Sequence, residues 1–362
     1  MLTLAHRRRR IIVCLDGTWE TPQEKTNVYK FYANLDSTTD QTWDYKISYC
    51  PGLGTKGNYP LLGGLFGYGI TDQILSAYQY ICKNYRNEND EIWLVGFSRG
   101  AYAARSLTGL IYNVGLLPEN QLHHSKDAYQ HYRNRGDASR PGELLSLKFR
   151  TKFNCRMPSI HFLGCFDTVG SLGVPKLPWY LGGSAFYSLF SGLHEFHDTK
   201  LSPIVKNAYH AVSIHEQREW FRPTLMQISA AGDQQVLEQV WFPGMHSDVG
   251  GQQSGPYDNV LSSQSLHWIM TKAIQNGLVF KPHCPINTQF IYHDSYTSSL
   301  IYRLMPRQDR SIERDVITNN FCLSQLFKAG KFDYLTQEQL GLYRSKTLPN
   351  FYSCIQQQIK LS

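Results

Sequence analysis

No C-x-x-C pair occurs in this sequence. Its eight cysteines, at 14, 50, 82, 155, 165, 284, 322 and 354, are scattered, a spacing that supports neither a zinc site nor a disulfide framework. Cys14 and Cys165 sit inside apolar runs, where a reduced, buried thiol is expected. No uninterrupted apolar segment is long enough to cross a bilayer. Met1 to Arg10 carries Arg7-Arg8-Arg9-Arg10 but lacks the apolar stretch of a signal peptide. These absences predict a soluble, cytoplasmic chain, with export without a signal peptide as the alternative. Internal repeats, low-complexity tracts and clear linkers are missing too. Charge is sparse, 18% against 42% hydrophobic over 362 residues, so a substantial core can be buried. One domain is expected over 1–362, with a core at about 10–275 and a C-terminal extension, 281–362, packing on it. The net charge of +7 favours anionic partners such as an acidic membrane surface, and no nucleic acid is predicted. The arginine run itself reads as a solvated end.

What is present is organised around Glu91-Ile-Trp-Leu-Val-Gly96-Phe97-Ser98-Arg99-Gly100-Ala101. Strand formers (Ile92, Trp93, Leu94, Val95) run into Gly96-x-Ser98-x-Gly100. A helical pattern follows, with Ala103, Leu107, Leu110, Ile111 and Val114 spaced three and four apart. Strand, sharp turn with a central serine, then helix is the order of a nucleophile elbow. Gly96 and Gly100 fit the close passage of strand and helix, and the helix N-terminus favours developing negative charge.

On either side of this stretch the chain alternates in the manner of an α/β fold. Ile11–Leu15 reads as a strand ending in Asp16-Gly17-Thr18. Residues 47–69, with seven glycines, read as a loop bordering the site, and a purely structural loop is as well supported. A helical stripe starts at Ile70 and continues through Ile74, Ala77, Tyr78, Ile81, Cys82 and Tyr85. Polar residues 119–150, with His123, His124 and His131, read as surface. Met157–Phe166 is a strand ending on Asp167. The aromatic segment 171–200 reads as a cap insertion or as a packed connection burying its own rings. Asn207–Glu216 reads as a helix, carrying His210 and His215. Val236–Phe242 reads as the last sheet strand, followed by a Gly-rich loop with His246 and Asp248, then a helix around 262–276.

Three strand ends thus present, in chain order, Ser98, Asp167 and His246. That is the Ser…Asp…His order of α/β-hydrolases, in which histidine takes the serine proton and the acid orients the imidazole. The backbone N–H of Arg99, with one from Gly17 or Thr18, is expected to hold the oxyanion. The Arg99 side chain is open to a phosphate head group or to a carboxylate of the fold. Asp16 and Asp248 are possible supporting groups, and ordering of its own loop is the reading favoured for Asp248. Competing motifs fail on their residues. Gly52-x-Gly54-x-x-Gly57 matches a dinucleotide fingerprint, but Asn58, Pro60, Gly63 and Gly64 break the helix it needs. A haloacid dehalogenase-type loop would need an aspartate at Cys14. His194-Glu195-Phe196-His197 misses the zincin spacing, and His246-x-Asp248 alone makes no metal site. No metal or organic cofactor is expected.

Six blocks then occur in order: Leu15–Trp19, Tyr49–Thr55, Gly64–Gly69, Gly96–Tyr102, Phe166–Gly170 and Trp241–Gly251. Together they resemble an α/β-hydrolase domain family, widespread in bacteria and fungi, that includes the first class of type VI secretion lipase effectors. The resemblance covers about residues 10–275. It implies a mostly parallel sheet flanked by helices, with insertions, and a Ser–Asp–His triad whose matching positions are Ser98, Asp167 and His246. It also implies a phospholipase or related carboxylester hydrolase acting on a lipid or small ester. A hydrolase fold used as a binding module, and an acyltransferase with the same triad, remain the alternatives.

Overall fold

The computed structural model describes residues 7–17, 22–52, 65–134, 136–169, 200–229, 234–251, 260–282, 308, 310 and 321–323. The Gly-rich loop at 53–64 and the expected cap up to residue 199 lie outside the described residues. In chain order the elements are β1 (Arg8–Leu15), α1 (Asn27–Ala33), β2 (Trp43–Cys50), α2 (Leu65–Asn84), β3 (Glu91–Phe97) and α3 (Arg99–Val114). Then come α4 (Ser125–Arg133), α5 (Leu144–Phe153), β4 (Ile160–Phe166), β5 (Val205–Ser213), β6 (Val236–Phe242), α6 (His246–Gly250), α7 (Val260–Gln275) and β7 (Phe321–Leu323).

The strands form one sheet in the order β2-β1-β3-β4-β5-β6-β7, and every pairing is parallel. It is a parallel α/β sheet with helices on both faces. Parallel strands covered on both faces read as continuous apolar runs, and β1 shows how the two cores divide. Ile11, Val13 and Leu15 pack with Ile92 and Leu94 against Ile74, Tyr78 and Ile81 of α2 and Leu107, Leu110 and Ile111 of α3. Ile12 and Cys14 point the other way, with Trp93, Val95 and Phe162, onto Val28 and Phe31 of α1 and Leu266 and Ile269 of α7. Cys14 and Cys165 are buried free thiols.

Four expectations need correction. Residues 207–213 are strand β5, not helix: the alanines suggested a helix, but burial on both faces erases the alternation that marks a strand. β6 is not the last strand, because β7 pairs beside it. The segment 47–69 is not all loop, since β2 runs to Cys50 and α2 begins at Leu65. The arginine run is a solvated end only at Arg7 and Arg8, which are exposed. Arg8–Arg10 open β1, where Arg9 pairs with Asp44 at 3.1 Å and Arg10 with Glu91 at 2.9 Å. Arg10 also lies 4.1 Å from the Trp43 ring centroid. Acidic and aromatic partners at the sheet's amino end take up charge that would otherwise face water. In the region read as surface, Ser139 and Ser146 are buried, and His131 Nε2 meets Ser146 Oγ at 2.9 Å.

β1 and β3 are neighbours although β2 lies between them in sequence, so the sheet order reverses between them. Ligand sites of open α/β sheets lie beyond the carboxyl ends of strands at such a point. The two ends are pressed together through Gly100. A Cβ there would stand 2.1 Å from the Leu15 carbonyl oxygen and 2.6 Å from that of Asp16. A glycine-to-alanine change in a helix ordinarily gains up to about 1 kcal/mol. Here the clash with backbone outweighs it, and Gly100→Ala is expected to lose at least about 2 kcal/mol in urea melts. Gly109→Ala in the same helix meets only the Tyr132 side chain, at 3.0 Å, and should cost less. Equal stability of Gly100→Ala and wild type would mean that α3 does not bear on the end of β1.

Candidate active site

The sheet ladder continues to the rim of the site. Ser98 N–H donates to Phe166 O at 3.0 Å, Asp167 N–H to Ala211 O at 2.7 Å, and Asp16 N–H to Cys50 O at 3.0 Å. These bonds place the residues that follow β1, β3 and β4 side by side. Ser98 links β3 directly to α3 with φ +57° and ψ −120°, a conformation that L-residues rarely adopt. The turn closes tightly because Gly96 lacks a side chain; a Cβ there would meet Gly100 O at 2.5 Å. Asp167, at φ +36°, is a second strained residue.

The three strand ends bring Ser98, His246 and Asp167 into one hydrogen-bonded line. His246 Nε2 lies 2.9 Å from Ser98 Oγ, and His246 Nδ1 lies 2.6 Å from Asp167 Oδ2. A carboxylate only accepts, so Nδ1–H donates to Asp167 and Nε2 is left to accept from the serine hydroxyl. All three side chains are buried: Ser98 is 6% exposed, His246 5% and Asp167 0%. The imidazole is fixed between Phe97 and Phe221, with ring centroids 4.8 Å and 5.1 Å away.

Asp167 is held from more than one side. Ser213 N–H, at the end of β5, donates to Oδ1 at 2.9 Å. Arg310 grips both oxygens, Nη1 at 2.6 Å from Oδ1 and Nη2 at 2.9 Å from Oδ2. The same guanidinium donates to Ser213 O at 2.6 Å and Phe221 O at 2.5 Å. Burial by itself raises the carboxyl pKa. The Arg310 charge and the hydrogen bonds from His246 and Arg310 outweigh it and hold Asp167 well below the usual carboxylate range. His246 is lowered from its ordinary value as well. Burial is the largest influence and lowers it from 6.5, and the pull of Asp167 does not cancel that.

A second buried ion pair stands on the far side of the histidine. Arg218 and Glu216 form a bidentate pair, 2.9 Å on each arm, and Glu216 Oε2 accepts from His246 N–H at 3.3 Å. Arg218 lies 3.6 Å from the Phe221 ring centroid, so this pair also braces a ring that packs on the imidazole. Sequence reasoning missed Arg310, Glu216, Arg218 and Phe221. The misread helix at 207–216 hid the strand end that places Glu216, and nothing local marks Arg310.

The remaining expected residues fall as follows. Arg99 is the first residue of α3, half-buried beside Ser98. Gly17 is buried, and its N–H donates to Asp16 Oδ1 at 2.8 Å. Asp16 is itself held by Thr26 Oγ1 at 2.5 Å and Tyr49 OH at 2.7 Å. Thr18 lies outside the described residues. Asp248 Oδ2 accepts from Met245 N–H at 2.8 Å, closing the first turn of α6 under His246. Among the described residues, no group of three His, Cys, Asp or Glu side chains is placed to hold a metal ion.

Comparison with known proteins adds the following. A family model described as "T6SS, Phospholipase effector Tle1-like, catalytic domain" matches residues 9–272. An uncharacterized protein of Saccharomyces cerevisiae, YEL023C, is 34% identical over 237 residues, covering 59% of this chain and 32% of that one. Two solved structures align at 18% identity. One is the Tle1 effector bound to the VgrG spike of the type VI secretion system, with TM-score 0.37 over 70% of this chain and 52% of that one. The other is an uncharacterized protein from Pseudomonas aeruginosa, with TM-score 0.40 over 75% and 47%. The chain therefore spans about a third of the yeast relative and about half of each solved chain.

Two further histidines brace the walls of the site from inside. His210 Nε2 accepts from Thr168 N–H at 3.0 Å, next to Asp167, and its Nδ1 faces Gln239 Oε1 at 3.2 Å. His215 Nδ1 accepts from Gly244 N–H at 2.9 Å, just before His246. Burial, aided at His210 by the charge of Arg105, lowers each from 6.5 to about 3. A folded-state pKa below the unfolded one gives stability that is complete above about pH 6.5 and is lost as pH falls toward 3. Between those limits the unfolded chain binds two more protons at these sites. To the rise of stability with pH in denaturant melts these two sites should therefore contribute about 3 kcal/mol per unit. His210→Gln should reduce that slope by about half. A slope unchanged by the substitution would mean that His210 is not held neutral.

Proposed function

The chain belongs to the family of Tle1-like catalytic domains of type VI phospholipase effectors, and from that premise we propose that it is a serine hydrolase of carboxylic esters, with phospholipid as the substrate class. The family supports a lipase-type hydrolase in general. The observation that carries the finer reading is the unbroken line Ser98–His246–Asp167, at 2.9 Å and 2.6 Å, across the ends of three strands.

His246 takes the Ser98 proton through Nε2 as Oγ attacks the ester carbonyl. Asp167 holds the Nδ1–H tautomer and stabilises the imidazolium that forms. The lowered pKa of His246 keeps the ring neutral, and so able to accept, near neutral pH. The tetrahedral oxyanion forms at the amino end of α3, where the Arg99 N–H and the helix dipole favour it. A second donor comes from the loop after β1. Gly17 supplies it by turning its N–H away from Asp16 Oδ1, with Thr18 as the alternative donor. Collapse of the intermediate expels the alcohol with the proton returned from His246. Water then repeats the cycle on the acyl-serine.

The test compares wild type with Ser98→Ala on phospholipid vesicles and on short p-nitrophenyl esters, alongside labelling by a fluorophosphonate. Fatty acid release that falls at least about 10³-fold on loss of the hydroxyl, with labelling confined to Ser98, is the expected result. Serine-dependent turnover of short esters alone would replace the lipid reading with a general esterase. Turnover unchanged in Ser98→Ala would overturn the assignment. No turnover and no labelling in wild type would make the fold a binding module.

A further inference from the structure

Arg310 lies beyond the segment that the family model covers, 9–272, yet it is 6% exposed and its guanidinium ends on the carboxylate that orients His246. We propose that Arg310 is a positioning residue for the reaction: it locks the Asp167 carboxylate so that Oδ2 faces His246 Nδ1, and it ties that carboxylate to the wall that carries Phe221. The inference rests on the triad reading above.

The geometry selects this role over a general structural one. A carboxylate at the end of a strand can rotate about χ2 and present either oxygen or neither to its histidine. Arg310 removes that freedom, because its fork meets Oδ1 at 2.6 Å and Oδ2 at 2.9 Å. Planar bidentate recognition of this kind fixes the plane of the carboxylate as well as its charge. Ser213 N–H adds a third restraint on Oδ1 alone, which leaves Oδ2 to the histidine and the arginine. The remaining donor contacts of Arg310 go to Ser213 O and Phe221 O, so one side chain aligns the acid and the ring that packs on the imidazole. Lysine could match the charge but not the fork.

Charge follows from the same contact. The buried surroundings of His246 are Asp167 on its Nδ1 side, Glu216 and Arg218 on its backbone side, Asp248 within its own helix, and Arg310 behind Asp167. Arg310 balances Asp167 as Arg218 balances Glu216. Without Arg310, Asp167 would act on His246 as an uncompensated negative charge and favour the imidazolium in the resting enzyme.

The experiment measures kcat, KM and the pH profile of kcat/KM for the full chain carrying Arg310→Lys, Arg310→Met, Asp167→Asn and the double change Asp167→Asn with Arg310→Met, with Ser98→Ala as the reference. Arg310→Met is expected to lower kcat about 10²-fold with little change in KM, and to move the acid limb upward by about one pH unit. Arg310→Lys should keep the limb near its wild-type position while losing part of kcat. In the Asp167→Asn background the further loss on removing Arg310 should nearly vanish, because the group it acts through is gone. That double variant leaves no unpaired buried charge and should fold even where a single change does not. Folded Arg310 variants with wild-type kcat and an unmoved acid limb would overturn the inference, as would an equal loss in both backgrounds. Full turnover in Ser98→Ala would instead remove the triad reading beneath it.

Discussion

Asp167 carries a negative charge at the end of a central strand with no exposure to solvent, and that charge sets the terms for the residues around it. An isolated carboxylate in such a place would take up a proton rather than remain ionised. Here β5 supplies an N–H, α6 an imidazole, and the chain beyond α7 a guanidinium. Each comes from a different part of the sequence, so the ionised state exists only when the strands are paired and Arg310 is docked. The strained backbone of Asp167 and Ser98, both at positive φ, belongs to the same arrangement. It persists because the sheet ladder on both sides over-determines the positions of the two residues.

The sheet makes that concentration possible. Parallel strands all end on one rim, and the reversal of order between β1 and β3 leaves room there for a ligand. Burial on both faces makes the strands rigid, and backbone-to-backbone approach at Gly96 and Gly100 sets the elbow to within the tolerance of a methyl group. Behind the rim, His210 and His215 use ring nitrogens as acceptors for loop N–H groups. Burial keeps them neutral as it does His246, but His246 hydrogen-bonds a carboxylate that stabilises its charged form.

The chain belongs to the Tle1-like family, and the Ser98–His246–Asp167 line lies within the segment that the family model matches. The family model covers residues 9–272, which hold the elbow and strands β2 to β6. Arg310 shows that this segment does not hold every contact of the site. A residue outside the matched segment completes the environment of a residue inside it.

Much of the site was legible in the sequence because its parts are local. Gly-x-Ser-x-Gly between an apolar run and a 3.6-residue pattern marks an elbow, since only glycine permits that approach. Asp167 and His246 could be read because each directly follows or closely trails a recognisable strand. β5 was not legible: a strand buried on both faces shows no alternation, and its alanines favour the helical reading. Arg9 and Arg10 were misread because a charge shows its partners only in space. The sequence by itself determined the α/β class, the elbow and the order of Ser98, Asp167 and His246 at the ends of strands, since those depend on neighbours in the chain. Tertiary structure alone decided which groups surround Asp167 and His246. Arg310, Glu216 and Phe221 reach them through long-range contacts that no local pattern encodes.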